Sequence, residues 1–246
     1  GLSDGSRISA KLVIAADGRN SPMREAAGIS VSTTRYGQKA LAFAVTHPKP
    51  HDNVSTEVHR SGGPFTMVPL PDHQGNPSSA IVWMERGPKA QELQALPNEE
   101  FEAAMTRRSC GVLGDLKLAS RRSIWPIISQ CAERLNGERL ALMAEAAHVV
   151  PPIGAQGLNM SLGDLASLLE LANARREGLG DAQMLEAYHK ARFNEIKLRV
   201  KGIDLLNRAS MLEARPLRDM RAAALNAFYS IEPIRKTLMR TGLGTN

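Results

Sequence analysis

The chain has 246 residues, of which 43% are hydrophobic and 23% are charged, and its net charge is +6. This composition is typical of a globular protein with one large or two small cores, and with no run of 18 apolar residues it predicts no membrane span. The positive charge could indicate a nucleic-acid-binding protein, but only 4% of the residues are aromatic and no nucleic-acid motif occurs, so we exclude that class of partner.

The cysteines and histidines do not form a metal-binding pattern. Cys110 and Cys131 lack C-x-x-C spacing, and the six histidines include no H-E-x-x-H sequence. We therefore predict reduced thiols, no bound metal and a cytoplasmic location.

Residues 11–29 predict a strand, a turn and a short helix. An apolar run ends at the turn Asp17-Gly18, and Pro22 suits the first turn of a helix because its missing N–H would be unpaired there. Ser21 can cap this helix. Taken alone, the segment is equally well explained by an ordinary Asp-Gly turn between two elements, and that alternative stays open at this point.

The middle of the chain predicts an antiparallel sheet followed by a helix. Alternating or apolar runs, separated by Pro, Gly, Asn and Asp, predict strands at 40–46, 54–59, 65–70 and 79–84. Asn98 is predicted to cap a helix that ends near Arg108, with Glu99 and Glu100 favourably placed in its first turn. A further strand is predicted at 121–128.

Residues 139–171 predict a ligand site. A short apolar strand ends at the carboxylate of Glu145, where a buried strand would deliver a side chain to a crevice. A loop rich in proline and glycine follows, and a helix with apolar residues at 158, 162, 165, 168, 169 and 172 is predicted from about Leu158. The first turn of that helix presents unpaired N–H groups, which favour phosphate or electron-rich oxygen.

The end of the chain predicts helices. Asp181 is predicted to cap a helix with apolar residues at 185, 188, 196, 200, 203 and 206. From Arg215 onward, six Lys or Arg stand against two acids, interleaved with apolar residues. A basic amphipathic segment of this kind can lie on an anionic membrane, and a helix packed on the protein body with a solvated basic face is an equally good explanation.

The sequence AEAAHVVPPIGAQGLN at 144–159 resembles the second FAD motif of the flavin-dependent aromatic-ring monooxygenases, G-D-A-A-H-x-x-x-P-x-x-G-x-G-x-N. Three positions depart from the motif, because Ala144 and Ala155 stand where the family has Gly and Glu145 stands where it has Asp. The matching residues are Ala146, Ala147, His148, Pro152, Gln156, Gly157 and Asn159.

Two further segments resemble the same family. The strand and turn at 11–18 resemble its Asp-Gly motif, and GGPFTMVPLPD followed by SSAIVWM resembles the substrate domain of its ubiquinone-biosynthesis hydroxylases. The resemblance implies the para-hydroxybenzoate hydroxylase fold, a mixed α/β class with a three-layer FAD-binding domain, an antiparallel-sheet substrate domain and C-terminal helices. The implied ranges are 1–35 and 125–180 for the FAD-binding domain, 36–124 for the substrate domain and 181–246 for the C-terminal helices.

The resemblance also implies an activity, in which NAD(P)H reduces FAD and O2 then supplies the oxygen that hydroxylates an aromatic ring. The implied substrate is a polyprenyl phenol precursor of ubiquinone, and a peripheral contact with the inner face of a membrane or with a ubiquinone-biosynthesis complex remains open. No catalytic side chain is assigned, and His148 is either a proton relay or a structural histidine bonded to loop carbonyls. The implied cofactor-binding residues are Asp17, Gly18, Arg24, Glu145, Pro152, Gly154, Gln156, Gly157, Leu158 and Asn159.

The G-x-G-x-x-G turn that seats an FAD pyrophosphate does not occur in the sequence. We therefore expect the chain to be the C-terminal part of a larger enzyme and to be inactive by itself. The competing hypothesis is a flavin-fold protein that no longer binds FAD and serves as an interaction module, because the departures at 144, 145 and 155 could weaken the cofactor site.

Overall fold

The computed structural model describes residues 1, 3–60, 62–211, 232 and 236. These residues divide into two compact units, the first containing residues 1–34 and 128–205 and the second residues 35–127 and 206–211. The predicted basic segment that begins at Arg215 lies outside the described residues except for positions 232 and 236. Within the described part of the chain, no helix is both long enough and apolar enough to span a membrane.

The elements follow one another in a mixed α/β order, which confirms the predicted fold class. Short 3-10 turns lie at Ala144–Ala146 and Arg176–Gly178. The strands and helices are β1 (Val13–Ala15), α1 (Pro22–Ala26), β2 (Val31–Thr46), β3 (Thr56–His59), β4 (Pro64–His73), β5 (Asn76–Arg86), α2 (Gly87–Ala95), α3 (Asn98–Arg108), β6 (Lys117–Leu118), β7 (Ser123–Ala132), β8 (Asn136–Gly137), β9 (Leu140–Leu142), β10 (His148–Val149), α4 (Gln156–Ala174) and α5 (Ala182–Ser210).

The first unit contains a three-stranded sheet in the order β1-β9-β8, with β1 parallel to β9. Its apolar core is formed by residues of β9, α4 and α5, including Leu142, Met160 and Tyr188. The short helix α1 begins as predicted, with Pro22 in its first turn and the Ser21 hydroxyl accepting a hydrogen bond from the Arg24 N–H. Asp181 caps α5, also as predicted, by accepting from the Met184 N–H at 2.9 Å.

Helix α4 buries a face that shares only Leu168 with its apolar stripe. Its buried residues are Met160, Asp164 and Leu168, which recur every four positions. The leucines at 158, 162, 165 and 169 are instead 69, 52, 39 and 54% exposed. The predicted apolar stripe is therefore present in the helix, but Leu168 is the one leucine of that stripe that is buried.

The second unit is built on an antiparallel sheet in the order β7-β2-β5-β4-β3, with β6 paired to β2. The predicted strands all form, and β4 and β5 form a hairpin in which Phe65 lies opposite Trp83. Helices α2 and α3 add Leu93, Phe101 and Met105 to the apolar core of this unit.

One predicted cap in the second unit is wrong. The residue before the first turn of α3 is Pro97, and Asn98 is the first helical residue. The Asn98 side-chain oxygen accepts a hydrogen bond from Arg122 at 3.2 Å instead of capping the helix. Glu99 and Glu100 do lie in the first turn, where carboxylates favour the helix dipole.

Candidate cofactor site

The two motifs meet because the strands that lead into them are parallel neighbours. In the pairing of β1 with β9, Ala15 lies opposite Leu142, and the Met143 N–H donates to the Ala15 carbonyl at 3.0 Å. Asp17 follows β1 by two residues and Ala144 follows β9 by two residues. The carboxyl ends of parallel strands lie at the same edge of a sheet, which is where α/β proteins bind their ligands.

Two arginines join the segments that follow these strands. Arg19 donates to both carboxylate oxygens of Glu145 at 3.2 Å, and both side chains are partly exposed. Arg24 is buried and donates to the Ala146 carbonyl at 2.9 Å and to the Arg19 carbonyl at 3.0 Å. Arg24 thus fixes the distance between the two motifs, and its direct contact with a cofactor stays a prediction.

The turn at Asp17 and Gly18 supports the start of α1. Gly18 has φ of +92°, a conformation that residues with a Cβ rarely adopt. The Asp17 carboxylate accepts from the Met23 N–H at 3.2 Å. Burial opposes ionisation of Asp17, but the hydrogen bonds from Ser21 and Met23 and the nearby Arg24 charge outweigh it and lower its pKa.

The loop after β9 contains three positions with positive φ. These are Ala144 at +53°, Gly154 at +65° and Ala155 at +52°. An L-residue in this region costs about 1–2 kcal/mol. Glycine at 144 and 155, as in the family motif, would be free of this strain, so the two alanines are departures with a physical cost.

Helix α4 begins at Gln156, two residues earlier than predicted, so the first turn holds Gln156, Gly157, Leu158 and Asn159. No side chain caps the helix at Ala155, and Gly157 and Leu158 are exposed. A Cβ added at Gly157 would have its nearest neighbour, Val150 Cγ2, at 4.0 Å. An exposed helix start without a side-chain cap attracts electron-rich oxygen, because the first N–H groups of a helix have no partner within the helix and together carry about half a positive charge.

The remaining predicted residues also lie on this loop. Pro152 is half-buried, and the Gln156 side-chain N–H donates to the Gly154 carbonyl at 2.9 Å. Glu145, Pro152, Gly154 and the first turn of α4 therefore follow one another along one loop and helix start, and Arg19 joins the Glu145 end of this loop to the turn that carries Asp17 and Gly18.

Two buried charged residues close to His148 were missed from the sequence, and the expected hydrogen-bond partner of His148 is corrected. His148 does not bond loop carbonyls through Nε2, because that atom lies 2.7 Å from the Asp164 carboxylate. Asp164 also accepts from Arg192, and neither residue was predicted. A sequence signal for Asp164 did exist, since it is a lone acid in the apolar stretch between Leu162 and Leu165.

The residues present fit part of a flavin. Glu145 offers a carboxylate for ribityl hydroxyls, and the start of α4 offers N–H groups for a pyrimidine oxygen, with no side chain on Gly154 or Gly157 to block the approach. Tyr188 donates to the Leu142 carbonyl beneath the site, and burial raises the pKa of its hydroxyl, so it stays a neutral donor.

Comparison with known proteins shows the family to which the chain belongs. The model of a family described as FAD binding domain matches residues 2–201. The chain is 37% identical over 247 residues to ubiquinone hydroxylase UbiL of Rhodospirillum rubrum. That match covers 99% of the chain and 57% of the relative, so the chain spans a little over half the length of this curated relative.

Solved structures support the fold. A Diels-Alderase from pyrroindomycin biosynthesis superposes with a TM-score of 0.75 at 23% identity, over 99% of the chain and 52% of that protein. A probable FAD-dependent monooxygenase of Pseudomonas aeruginosa gives 0.70 at 23% identity, over 87% of the chain and 60% of that protein. At this identity the likeness shows a shared fold and not a shared activity.

Proposed function

The chain belongs to the FAD-binding domain family, and from this premise we propose that it forms part of an FAD-dependent monooxygenase that hydroxylates an aromatic precursor of ubiquinone. The observation that carries the proposal is that Glu145 and the Asp17-Gly18 turn lie together at the carboxyl ends of β1 and β9, joined by Arg19, and that the loop after β9 leads into the uncapped start of α4. The name of the Rhodospirillum rubrum relative supports the substrate class.

When bound, FAD supplies the redox chemistry, taking electrons from NAD(P)H and activating O2 for transfer to the ring. The protein residues bind and orient it. The Glu145 carboxylate would accept hydrogen bonds from ribityl hydroxyls, and the N–H groups of Gly157 and Leu158 would stabilise negative charge on the flavin pyrimidine. Pro152 would face the edge of the ring system and help to exclude water.

The wider roles follow from the family resemblance. We propose that the phenolic ring binds against the sheet of residues 36–124, that the substrate is a polyprenyl phenol and that the reductant is NAD(P)H. A cytoplasmic location with peripheral contact at a membrane suits a substrate with a long apolar tail. That contact would involve the basic segment from Arg215 onward, which lies outside the described residues.

The first test is a titration of FAD, followed by quenching of flavin fluorescence, with this chain and with the full product of its gene. Gly157→Ala is the informative variant, because its Cβ meets nothing closer than 4.0 Å in the protein, so a loss of FAD binding would come from a changed contact with the ligand and not from a clash within the chain. We expect Gly157→Ala to raise the Kd for FAD about tenfold or more, equal to about 1.4 kcal/mol.

Gly202→Ala is the matched control. Gly202 is an exposed helical glycine of α5 with nothing within 4 Å of an added Cβ, so this variant makes the same chemical change away from the site. Its Kd should equal that of the unmodified protein. Equal Kd values for Gly157→Ala and Gly202→Ala would contradict the proposed site.

The alternative function, an interaction module that has lost FAD, is favoured by the Arg19 contacts, which occupy both oxygens of the Glu145 carboxylate. Failure of the full gene product to bind FAD would support it. For the enzyme, we expect NAD(P)H oxidation by the FAD-loaded full product to accelerate when a phenolic ubiquinone precursor is added. A rate that does not respond to any such phenol would contradict the hydroxylase assignment.

A further inference from the structure

Asp164 is a fully buried carboxylate on α4 that accepts three hydrogen bonds. One oxygen accepts from the Ala144 N–H at 3.1 Å and from His148 Nε2 at 2.7 Å, and the other accepts from Arg192 Nε at 3.0 Å. A buried charge is tolerated only when it is paired and hydrogen-bonded. Asp164 meets both conditions, and two of its three partners lie at the start of the loop that carries the candidate site.

Arg192 extends this contact into the body of α4. Its Nη2 donates to the Met160 carbonyl at 3.1 Å, and its Nη1 pairs with Glu195. A Cβ on Gly163 would lie 2.7 Å from Arg192 Nη2, so the guanidinium occupies the space left by that glycine. The planar fork of Arg192 thus serves three partners in fixed directions, which an ammonium group could not do.

The same network reaches the other end of the loop. Arg199 donates from Nε to Glu195 and from Nη1 to the Gln156 side-chain oxygen, both at 2.9 Å. Because its oxygen accepts from Arg199, the Gln156 amide turns its N–H toward the Gly154 carbonyl, which accepts at 2.9 Å. Gln156 opens α4, so this second connection fixes the start of the helix.

We propose that Asp164, Arg192, Glu195 and Arg199 form a positioning network that holds both ends of loop 144–156 in the conformation that receives the flavin. The proposal rests on the proposed function for its ligand. The network acts on backbone geometry, because its contacts fall on the Ala144 N–H and, through Gln156, on the Gly154 carbonyl. Ala144 is strained at positive φ, whereas Gly154 could adopt many other backbone conformations, so the network fixes two positions that the local sequence does not fix by itself.

Asp164 is needed as a charged acceptor and not as a space-filling group. Well-packed apolar residues can often replace a buried ion pair without loss of stability, but they would leave the Ala144 N–H without an acceptor. The predicted consequence of losing the network is therefore a loop with the wrong geometry within a chain that still folds. A change confined to the loop would distinguish a positioning role from a purely structural one.

The test is Asp164→Asn in the full product of the gene. Asn keeps the size but loses the charge, and its NH2 group must face either Arg192 or the pair Ala144 and His148, where a donor is already present. We expect the Kd for FAD to rise about tenfold or more, as for other residues that orient ligand-binding groups. We also expect faster amide hydrogen exchange in residues 144–156 of the protein without FAD.

Two controls isolate the network. Leu168→Ala removes a buried side chain one turn further along α4, so it should lower thermal stability while leaving the Kd for FAD within about twofold. Lys190→Gln removes an exposed ion pair with Glu186 on α5 and should change neither quantity. A Leu168→Ala protein whose Kd rises as much as that of Asp164→Asn would overturn the positioning role.

The remaining outcomes also decide the proposal. If Asp164→Asn does not fold, Arg199→Met removes the more exposed link to Gln156 and should raise the Kd for FAD and speed exchange at residues 154–157. Unchanged exchange and unchanged Kd in the folded variant would overturn the network. If the unmodified protein does not bind FAD, the proposed function fails, but loop exchange still tests the network because that measurement needs no cofactor.

Discussion

The two units place different chemistry in their interiors. The second unit is organised by apolar side chains of the sheet and of α3, with Phe43 packed edge-on against Phe101 at 5.0 Å and Phe65 against Trp83 at 5.4 Å. The first unit has an apolar core as well, but around loop 144–156 this core also encloses the charged side chains of Arg24, Asp164 and Arg192. Apolar packing is non-directional and builds a stable body, whereas buried charges have directional partners and can hold a strained loop.

The largest effect is expected in the apolar core of the second unit. Phe101→Ala removes a fully buried ring and leaves a cavity, so it should lower the free energy of unfolding by about 3–5 kcal/mol. Denaturant unfolding followed by tryptophan fluorescence measures this unit directly, because both tryptophans of the chain, Trp83 and Trp125, lie within it.

Val112→Ala is the control for that experiment, since Val112 is 43% exposed and its truncation should change the free energy of unfolding by less than about 0.5 kcal/mol. A loss below about 1 kcal/mol for Phe101→Ala would show that the aromatic cluster does not dominate the stability of the second unit.

The same contrast explains what the sequence could predict. The strands of the second unit could be predicted because alternating apolar residues indicate a sheet with one buried face. Burial of that apolar face also stabilises the sheet. The two motif segments were found because their residues resemble a family motif, and the parallel pairing of β1 with β9 gives the physical reason why they meet. In both cases the information lies in a short stretch of chain.

The polar network could not be predicted in this way. Asp164 and Arg192 are 28 residues apart, and no periodicity reports which buried carboxylate meets which guanidinium. The four exposed leucines of α4 show a similar limit, because the sequence pattern identified an apolar stripe but did not identify which face of the helix is buried. The cap assigned to Asn98 failed because Arg122, distant in sequence, binds the side chain that would have capped the helix.

A smaller effect is expected from the strained backbone of the first unit. Ala144→Gly removes the penalty of a left-handed alanine but adds freedom to the unfolded chain, so the free energy of unfolding should rise by about 0.5–1 kcal/mol. Thermal unfolding of the first unit, followed by circular dichroism or hydrogen exchange, measures the change. The family motif has Gly at this position, and we expect the Kd for FAD to fall in the same variant.

Ala103→Gly makes the same substitution at an exposed position in helix α3, where the backbone is helical. It should lower the free energy of unfolding by about 1 kcal/mol, which is the opposite sign. Two destabilising results would mean that the strain at Ala144 is smaller than the entropic cost of glycine, and Ala144 would then not account for any weakness in FAD binding.

The smallest effect concerns Asp17, whose lowered pKa makes it a local contributor to stability at the start of α1. A carboxyl whose pKa is lower in the folded than in the unfolded protein adds stability above its unfolded pKa, and this contribution is lost as the pH falls through its folded pKa. Asp17→Asn removes the titrating group but keeps an oxygen that can accept from the Met23 N–H. Below about pH 4, the unmodified protein should therefore lose stability more steeply than Asp17→Asn. Between pH 5 and 7 the two stability curves should run parallel, because Asp17 stays ionised throughout that range. Curves that also run parallel down to pH 3 would show that the hydrogen bonds at Asp17 do not favour its charged form.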